Sequence, residues 1–419
     1  MNVATRVFLL FSAGYFVSYI FRGLNIGFAP FLTQEMGLTA ADLGGLTSLY
    51  FLGFAVTQIP AGAALDTWGP RRVTAVLMLI AALGSLLFGL ADGLVSMMAG
   101  RVLIGVGVAV CMGAGLQALA QHFPVHRIPV LNGALIAIGG LGGAVVGTPL
   151  ALLLQAASWR TISVGLAVFT MVVAGLIWFW ASDAGAVPRK KERPSVWAQF
   201  RGTWELLCSL GFWKLSLFPS VCGGMFYAVQ SLWMKPYLLD VNLAGQAQTD
   251  ALVSLLGLAA VCGSLVSGGL ARRFERLGMS LTVFNGVCLG AFVAVQALIM
   301  LDAPIPKSVL WTCFGLFGAC CVLLFAIFVT RYPPAMWGRA NTTFNMLVFF
   351  MIFAVQNVIG LIVERWEPIE PGVYPAQAHL TAWSCLLAVQ IACGIWYFWP
   401  TPRRAAVRPA ALEGAEGRG

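Results

Sequence analysis

Apolar residues fall along the chain in long runs separated by short polar breaks. Six runs, roughly 7–31, 43–65, 73–91, 94–120, 130–156 and 160–181, precede the longest polar interruption. Six more follow it, at 213–238, 250–271, 279–301, 306–330, 340–364 and 379–399. Each is about 20 residues or longer, the length a helix needs to cross a bilayer. The pattern predicts an all-α membrane protein with twelve transmembrane helices in two six-helix bundles. The expected units are an N-terminal bundle over 1–181, a cytoplasmic central loop over 182–212, a C-terminal bundle over 213–399 and a disordered tail over 400–419. The central loop carries Arg189, Lys190, Lys191 and Arg193, with a short surface helix expected around 196–207.

The first run is not uniformly apolar. Tyr15, Ser18, Tyr19, Arg22 and Asn25 recur at helical spacing and form one polar stripe. A guanidinium at the depth of Arg22 costs a few kcal/mol to insert, so it should face a wet cavity or a partner. The rival reading is an arginine that snorkels or caps carbonyls in a packed interface. Its distance from both ends of the run favours a functional role.

Composition narrows the classes further. The chain is 59% hydrophobic and 10% charged, whereas a soluble domain is about 25% charged. The net charge of +9 sits in short loops, which is the signature of membrane orientation and not of nucleic-acid binding. Arg6, Arg71, Arg72, Arg127, the 189–201 cluster, Lys214, Arg272, Arg273, Arg276, Arg331 and Arg339 fall on one side. Glu35, Asp42, Asp92, Asp240, Asp250, Asp302, Glu364, Glu367 and Glu370 fall on the other. By the positive-inside rule both termini are cytoplasmic, in a plasma membrane of bacterial inner-membrane type. The ten cysteines lie almost all in apolar runs without paired spacing and read as small buried hydrophobes. His122, His126 and His379 stand near run edges, so no metal, no cofactor and no enzymatic centre are expected. The first run lacks a clear cleavage site and is expected to remain as a span. The expected partners are a small anionic solute and the lipid bilayer, with the chain a monomer.

After the second run comes GAALDTWGPRRV, a tight glycine turn with an acid at a helix end and cations behind it. Gly62, Asp66, Gly69, Arg71 and Arg72 resemble the hallmark loop of the major facilitator superfamily, G-x-x-x-D-R-x-G-R-K. Thr67 and Pro70 replace two of its basic positions. Arg101, Gly105 and Gly107 resemble the superfamily's R-x-x-x-G-x-G pattern, although Arg101 is near enough to a run end for snorkelling to compete. The resemblance implies a gating set of Asp66, Gly62, Gly69, Arg71, Arg72 and Arg101, with Asp66 meeting the start of the eleventh helix near Asn341. Gly139, Gly143 and Gly147 on the fifth run, and Gly257, Ala260, Ser264 and Gly268 on the eighth, form small faces suited to close helix contact. Gly143-Ala144 replaces the Gly-Pro of the superfamily's antiporters, which lowers the odds of a proton-driven drug exporter. A 32-residue offset joins both Pro30 to Gly62 and Pro236 to Gly268. A parallel repeat of that kind places the solute path between the halves, near the midplane.

A narrower resemblance covers the first two runs. Y-I-F-R-G-L-N-I, and then Q-I-P-A-G-A-A-L-D, is similar to the anion:cation (organate) symporter family. It implies alternating-access transport of a small organic anion, with Arg22 as the substrate-binding arginine, Asn25 its partner, and Gln58 and Pro60 in the matching motif. Phe21 and Val108 stand where that family has the carboxylates related to proton coupling. Tyr19, and in the second half Tyr227, Gln230, Asn345 and Gln356, are candidates to line the cavity. Each of the second-half polar groups has a rival reading as a helix–helix hydrogen-bonder. Trp233, Trp311 and Trp337 read as interface belts. A nitrate/nitrite porter would use arginines in the second and eighth runs, and neither run has one; siderophore or drug export stays open. All sixteen acids lie in loops, tails or run edges. That placement favours anion exchange or uniport over proton symport through a midplane carboxylate.

Overall fold

The computed structural model describes residues 2–124, 127–182, 196–332 and 336–400. Its first half comprises α1 (Val3–Met36), α2 (Ala40–Gly89), α3 (Leu94–Val108), α4 (Cys111–His122), α5 (Ile128–Val145), α6 (Thr148–Ala156) and α7 (Trp159–Trp180). The surface helix expected after the central break forms as α8 (Val196–Leu207). The second half comprises α9 (Leu210–Ala228), α10 (Met234–Asp240), α11 (Gln246–Arg276), α12 (Leu281–Met300), α13 (Lys307–Gly318), α14 (Leu324–Arg331), α15 (Trp337–Val363) and α16 (Ala376–Phe398). The cluster of Arg189, Lys190, Lys191 and Arg193, His126, and the tail from 401 lie outside the described residues.

Among the described residues, ten helical stretches are long and apolar enough to cross a membrane, and α5 with α6 makes one more, bent by 48°. The 50 residues of α2 would extend about 75 Å, more than twice a hydrocarbon core of about 30 Å. That stretch is two crossings joined through a kink at Gly69, where φ is 80° and ψ 163°. Counting it twice gives twelve spans. The turn expected between the second and third runs is thus compressed to one residue whose conformation only glycine adopts readily. Pro70 follows at the first position of the new helix, where its missing N–H removes no bond.

Local signals explain other ends. Gly37, at φ 65°, closes α1, and Thr39 opens α2 through a reciprocal capping box with Asp42. Ser158 and Ser280 cap α7 and α12 through their hydroxyls. Val168, Val172 and Phe179 point outward, as lipid-facing positions do, because the bilayer is itself the apolar solvent.

The ends of the spans near Arg71 and Arg72 define a basic face; the opposite ends define an acidic face. The two halves meet tightly at the acidic face. A Cβ on Gly44 of α2 would lie 2.8 Å from the Gln356 carbonyl of α15, and one on Gly360 would lie 2.8 Å from the Ala40 carbonyl. The small faces of the fifth and eighth spans also meet: a Cβ on Gly257 would stand 2.7 Å from the Gly143–Ala144 backbone. Ser254 donates to the Ala144 carbonyl at 3.2 Å and accepts from the Thr148 amide at 2.8 Å. Nearer the basic face, Gly133 and Gly140 meet only the side chains of Leu265 and Val261, and Gly268 has nothing within 4 Å.

The acidic face is not purely acidic. Arg160 donates to the Ala91 carbonyl at 2.6 Å and packs over Trp159, and Lys235 pairs with Asp250 at 2.7 Å. Two of the tryptophans expected in an interface belt are instead in the protein interior. Trp311, 1% exposed, packs in an aromatic cluster with Tyr237, Phe314 and Trp383, and Trp233, 2% exposed, lies against Gly44 of the other half.

Candidate functional site

Arg22 sits well inside α1 and is 7% exposed. Its guanidinium carbon is 4.4 Å from the centroid of the Tyr19 ring, 5.2 Å from Tyr227, 5.3 Å from Phe349 and 5.9 Å from Phe54. Tyr19 lies three residues before it and therefore on the same helix face. Phe54 comes from α2, Tyr227 from α9 and Phe349 from α15, so the aromatic box is built from both halves. Phe54 and Phe349 close it with a stacked contact, 3.8 Å between centroids and 12° between planes.

Ring faces attract a desolvated cation by about 2 kcal/mol or more each. A buried ion loses several kcal/mol of hydration. No carboxylate pairs with Arg22 among the described residues, and its Nε is buried without a hydrogen-bond partner. Tyr15, Tyr19, Tyr50 and Tyr227 surround the charge. The arrangement supports a guanidinium but leaves part of its hydrogen-bonding fork unused.

Beside the box is a cavity of about 20 Å³ between the halves, close to the minimum that holds one water. Tyr19, Gly140, Tyr227, Gln230, Gly257 and Val261 are among its walls. Gln230 belongs to a π-helical segment, Val229–Trp233, that joins α9 to α10. Ala319, also a wall residue, opens a 3₁₀ segment, Ala319–Leu323, between α13 and α14. Spans seven and ten are thus irregular where they line this cavity, and such breaks frequently mark functional positions.

The residues singled out in the sequence divide into two groups. Arg22, Tyr19, Tyr227 and Gln230 come together at the box and cavity. Asn345 is half-buried on α15. Asn25 is fully buried and directs its amide to the Thr47 hydroxyl at 2.7 Å. Gln356 donates to Ser231 at 2.6 Å and to the Ala228 carbonyl at 3.2 Å, tying α15 to α9. Gln58 donates to the Ala109 carbonyl at 3.3 Å. Asn25, Gln58 and Gln356 therefore make helix–helix bonds in this conformation. Phe54 and Phe349 were not singled out, since an aromatic residue inside an apolar run carries no contrast with its neighbours.

At the basic face, Asp66 and Arg72 are exposed, Gly62 is half-buried and Arg71 donates to the Trp178 carbonyl at 3.3 Å. No hydrogen bond joins Asp66 to Asn341 among the described residues, and the Asn341 side-chain oxygen is buried without a partner. Arg101 does not snorkel. It is 1% exposed, lies over Phe88 at 4.5 Å and donates to the Phe21 carbonyl at 3.2 Å. That bond holds the α1 backbone beside Arg22.

Arg22 thus lies buried between two helical halves with no carboxylate partner among the described residues, in a chain with many helices long and apolar enough to cross a membrane. The chain belongs to the Major Facilitator Superfamily, whose family model matches residues 11–356. It is a multi-pass membrane transporter, not an enzyme. A probable sulfoacetate transporter of Cupriavidus necator is 27% identical over 306 residues, 69% of each chain. A probable L-galactonate transporter of Escherichia coli is 22% identical over 394 residues, 90% of this chain and 83% of its own. The fold is similar to that of a bacterial homologue of the human lysosomal transporter Spinster, solved in an inward-facing and occupied conformation. The TM-score is 0.75 at 17% identity, covering 98% of this chain and 100% of the other.

Proposed function

We propose that this transporter moves a small organic anion by alternating access, with Arg22 as its anion-binding residue. The observation that carries the reading is the burial of Arg22 between the halves with no carboxylate partner among the described residues. Related chains named for sulfoacetate and L-galactonate transport support an organic anion. A carboxylate or sulfonate would accept two parallel bonds from the guanidinium, and Tyr19 and Tyr227 hydroxyls would add donors. The basic face is cytoplasmic in this reading, which puts both termini inside a plasma membrane of bacterial inner-membrane type.

Gating falls to the motif at the basic face. Asp66 engages the amino end of α15 when that face closes, where the helix dipole favours an anion. Its exposure here fits a conformation closed at the acidic face instead. Asp66→Asn should bias the protein toward this conformation, read as altered labelling of single cysteines placed at the two faces. Unchanged labelling at both faces would remove the role.

The deciding experiment is binding and uptake of an organic-anion panel by wild type, Arg22→Lys and Arg22→Ala in proteoliposomes. Arg22→Lys keeps the charge but loses the fork, and should bind at least tenfold more weakly. Arg22→Ala should lose transport at normal membrane insertion. Wild-type uptake by a correctly inserted Arg22→Ala protein would refute the proposal.

A further inference from the structure

Resting on that reading of Arg22, we infer that the solute is a monoanion with a flat, apolar body, an aromatic monocarboxylate in class, and not a polyhydroxylated sugar acid. Three features of the site lead there: its charge, its walls and the state of its polar groups.

The charge is single. Among the described residues that line the cavity or touch the box, Arg22 is the one cation. Lys235, a buried ammonium in the second half, is neutralised by Asp250. One guanidinium balances one negative charge. A dianion would bring a second charge into the same low-dielectric space without a counter-ion.

The walls are largely aromatic and aliphatic. Phe54 and Phe349 stack against each other beside the guanidinium, and Ile136, Gly140 and Val261 line the cavity with no polar side-chain atom. The rings of Tyr19 and Tyr227 face the charge from either half. An aromatic solute can offer its carboxylate to Arg22 while its ring takes up an offset or edge contact with these rings.

The amide nitrogens around the site are engaged in helix–helix bonds, and the unpartnered oxygens of Asn25 and Gln356 are not part of the cavity wall. Asn25 bonds Thr47, Gln356 bonds Ser231 and the Ala228 carbonyl, and Gln58 bonds the Ala109 carbonyl. Ser264, on the cavity wall, donates back to the Ala260 carbonyl of its own helix at 2.9 Å. Gln230 is the one amide of the cavity wall with no such bond among the described residues. Besides Arg22, the wall offers a solute Tyr19, Tyr227 and Gln230 among the described residues, fewer partners than the hydroxyls of a sugar acid need, and buried hydroxyls left unpaired are rejected strongly.

The test uses the full-length protein in nanodiscs and four probes: benzoate, D-galacturonate, phthalate and benzamide. Benzoate should bind at least tenfold more tightly than galacturonate or phthalate. Benzamide, with the same shape and no charge, should bind at least tenfold more weakly than benzoate. Arg22→Ala should remove benzoate binding. Galacturonate or phthalate binding as tightly as benzoate, with that binding lost in Arg22→Ala, would overturn the inference and leave the role of Arg22 standing. Benzamide equal to benzoate, or benzoate binding unaffected by Arg22→Ala, would overturn both. Failure of benzoate to bind the wild type would overturn the inference.

Discussion

A guanidinium removed from water needs compensation, and at Arg22 it comes from ring faces where a carboxylate would be the usual partner. The depth of this arginine and its polar stripe were legible in the sequence, because charge stands out sharply against an apolar run. Its aromatic neighbours were not, because Phe54 and Phe349 look like any other core residue until the helices are packed. Arg101 shows the limit of counting from a run end: it lies near one, yet Phe88 and the Phe21 carbonyl hold it inside. Gly69 was legible as a turn residue, and its geometry gives a prediction. At φ 80° and ψ 163°, Gly69→Ala is expected to cost about 1–3 kcal/mol. The measurement is thermal unfolding in detergent, where the substitution should lower the midpoint. An unchanged midpoint would mean that the break between the two crossings of α2 is not held in this conformation.

Among the elements, the existence of the spans was readable and their interruptions only in part. Val229–Trp233 contains neither glycine nor proline, and neither does Ala319–Leu323. Pro236, four residues beyond Leu232, cannot donate to the Leu232 carbonyl and crowds it, a local cause for the π segment; the 3₁₀ segment has no such signal within it. The small faces of the fifth and eighth spans could be read, and they meet as spaced, except that Gly268 lies beyond the contact. Gly257 is where that contact is most demanding, since a side chain there would strike the Gly143–Ala144 backbone at 2.7 Å. Overpacking a close contact costs about 1–3 kcal/mol, enough to shift a two-state balance about tenfold. Gly257→Val should therefore penalise the conformation closed at the acidic face, moving cysteine labelling in the sense opposite to Asp66→Asn. Identical shifts from both substitutions would contradict this picture of the gates.

At the scale of the whole molecule, two acids with largely covered side chains qualify the expectation that every carboxylate is peripheral. Asp240 pairs with His379 at 2.8 Å and accepts from the Tyr374 amide, and the Tyr374 hydroxyl accepts from the Ala40 amide of the other half. Asp250 pairs with Lys235. The first pair connects through Tyr374 to the other half, and the second lies within the second half near the acidic face. Asp240 is thirteen residues beyond Tyr227, about 20 Å along a helix, and does not reach Arg22. Exchange or uniport therefore remains the expected mode. In proteoliposomes with the membrane potential clamped, a pH gradient alone should not accumulate the solute, whereas internal anion should accelerate uptake. Accumulation driven by the pH gradient would refute it. The uncompensated charge of Arg22 also has an electrical consequence. A carrier holding a monoanion crosses its cycle with that site neutral, but an empty one reorients with a net positive charge inside the membrane field. Any part of the potential that this charge traverses alters the step by up to about 2.3 kcal/mol per 100 mV. One-for-one swapping of anions should then produce no current, while net movement in one direction should slow or quicken with voltage.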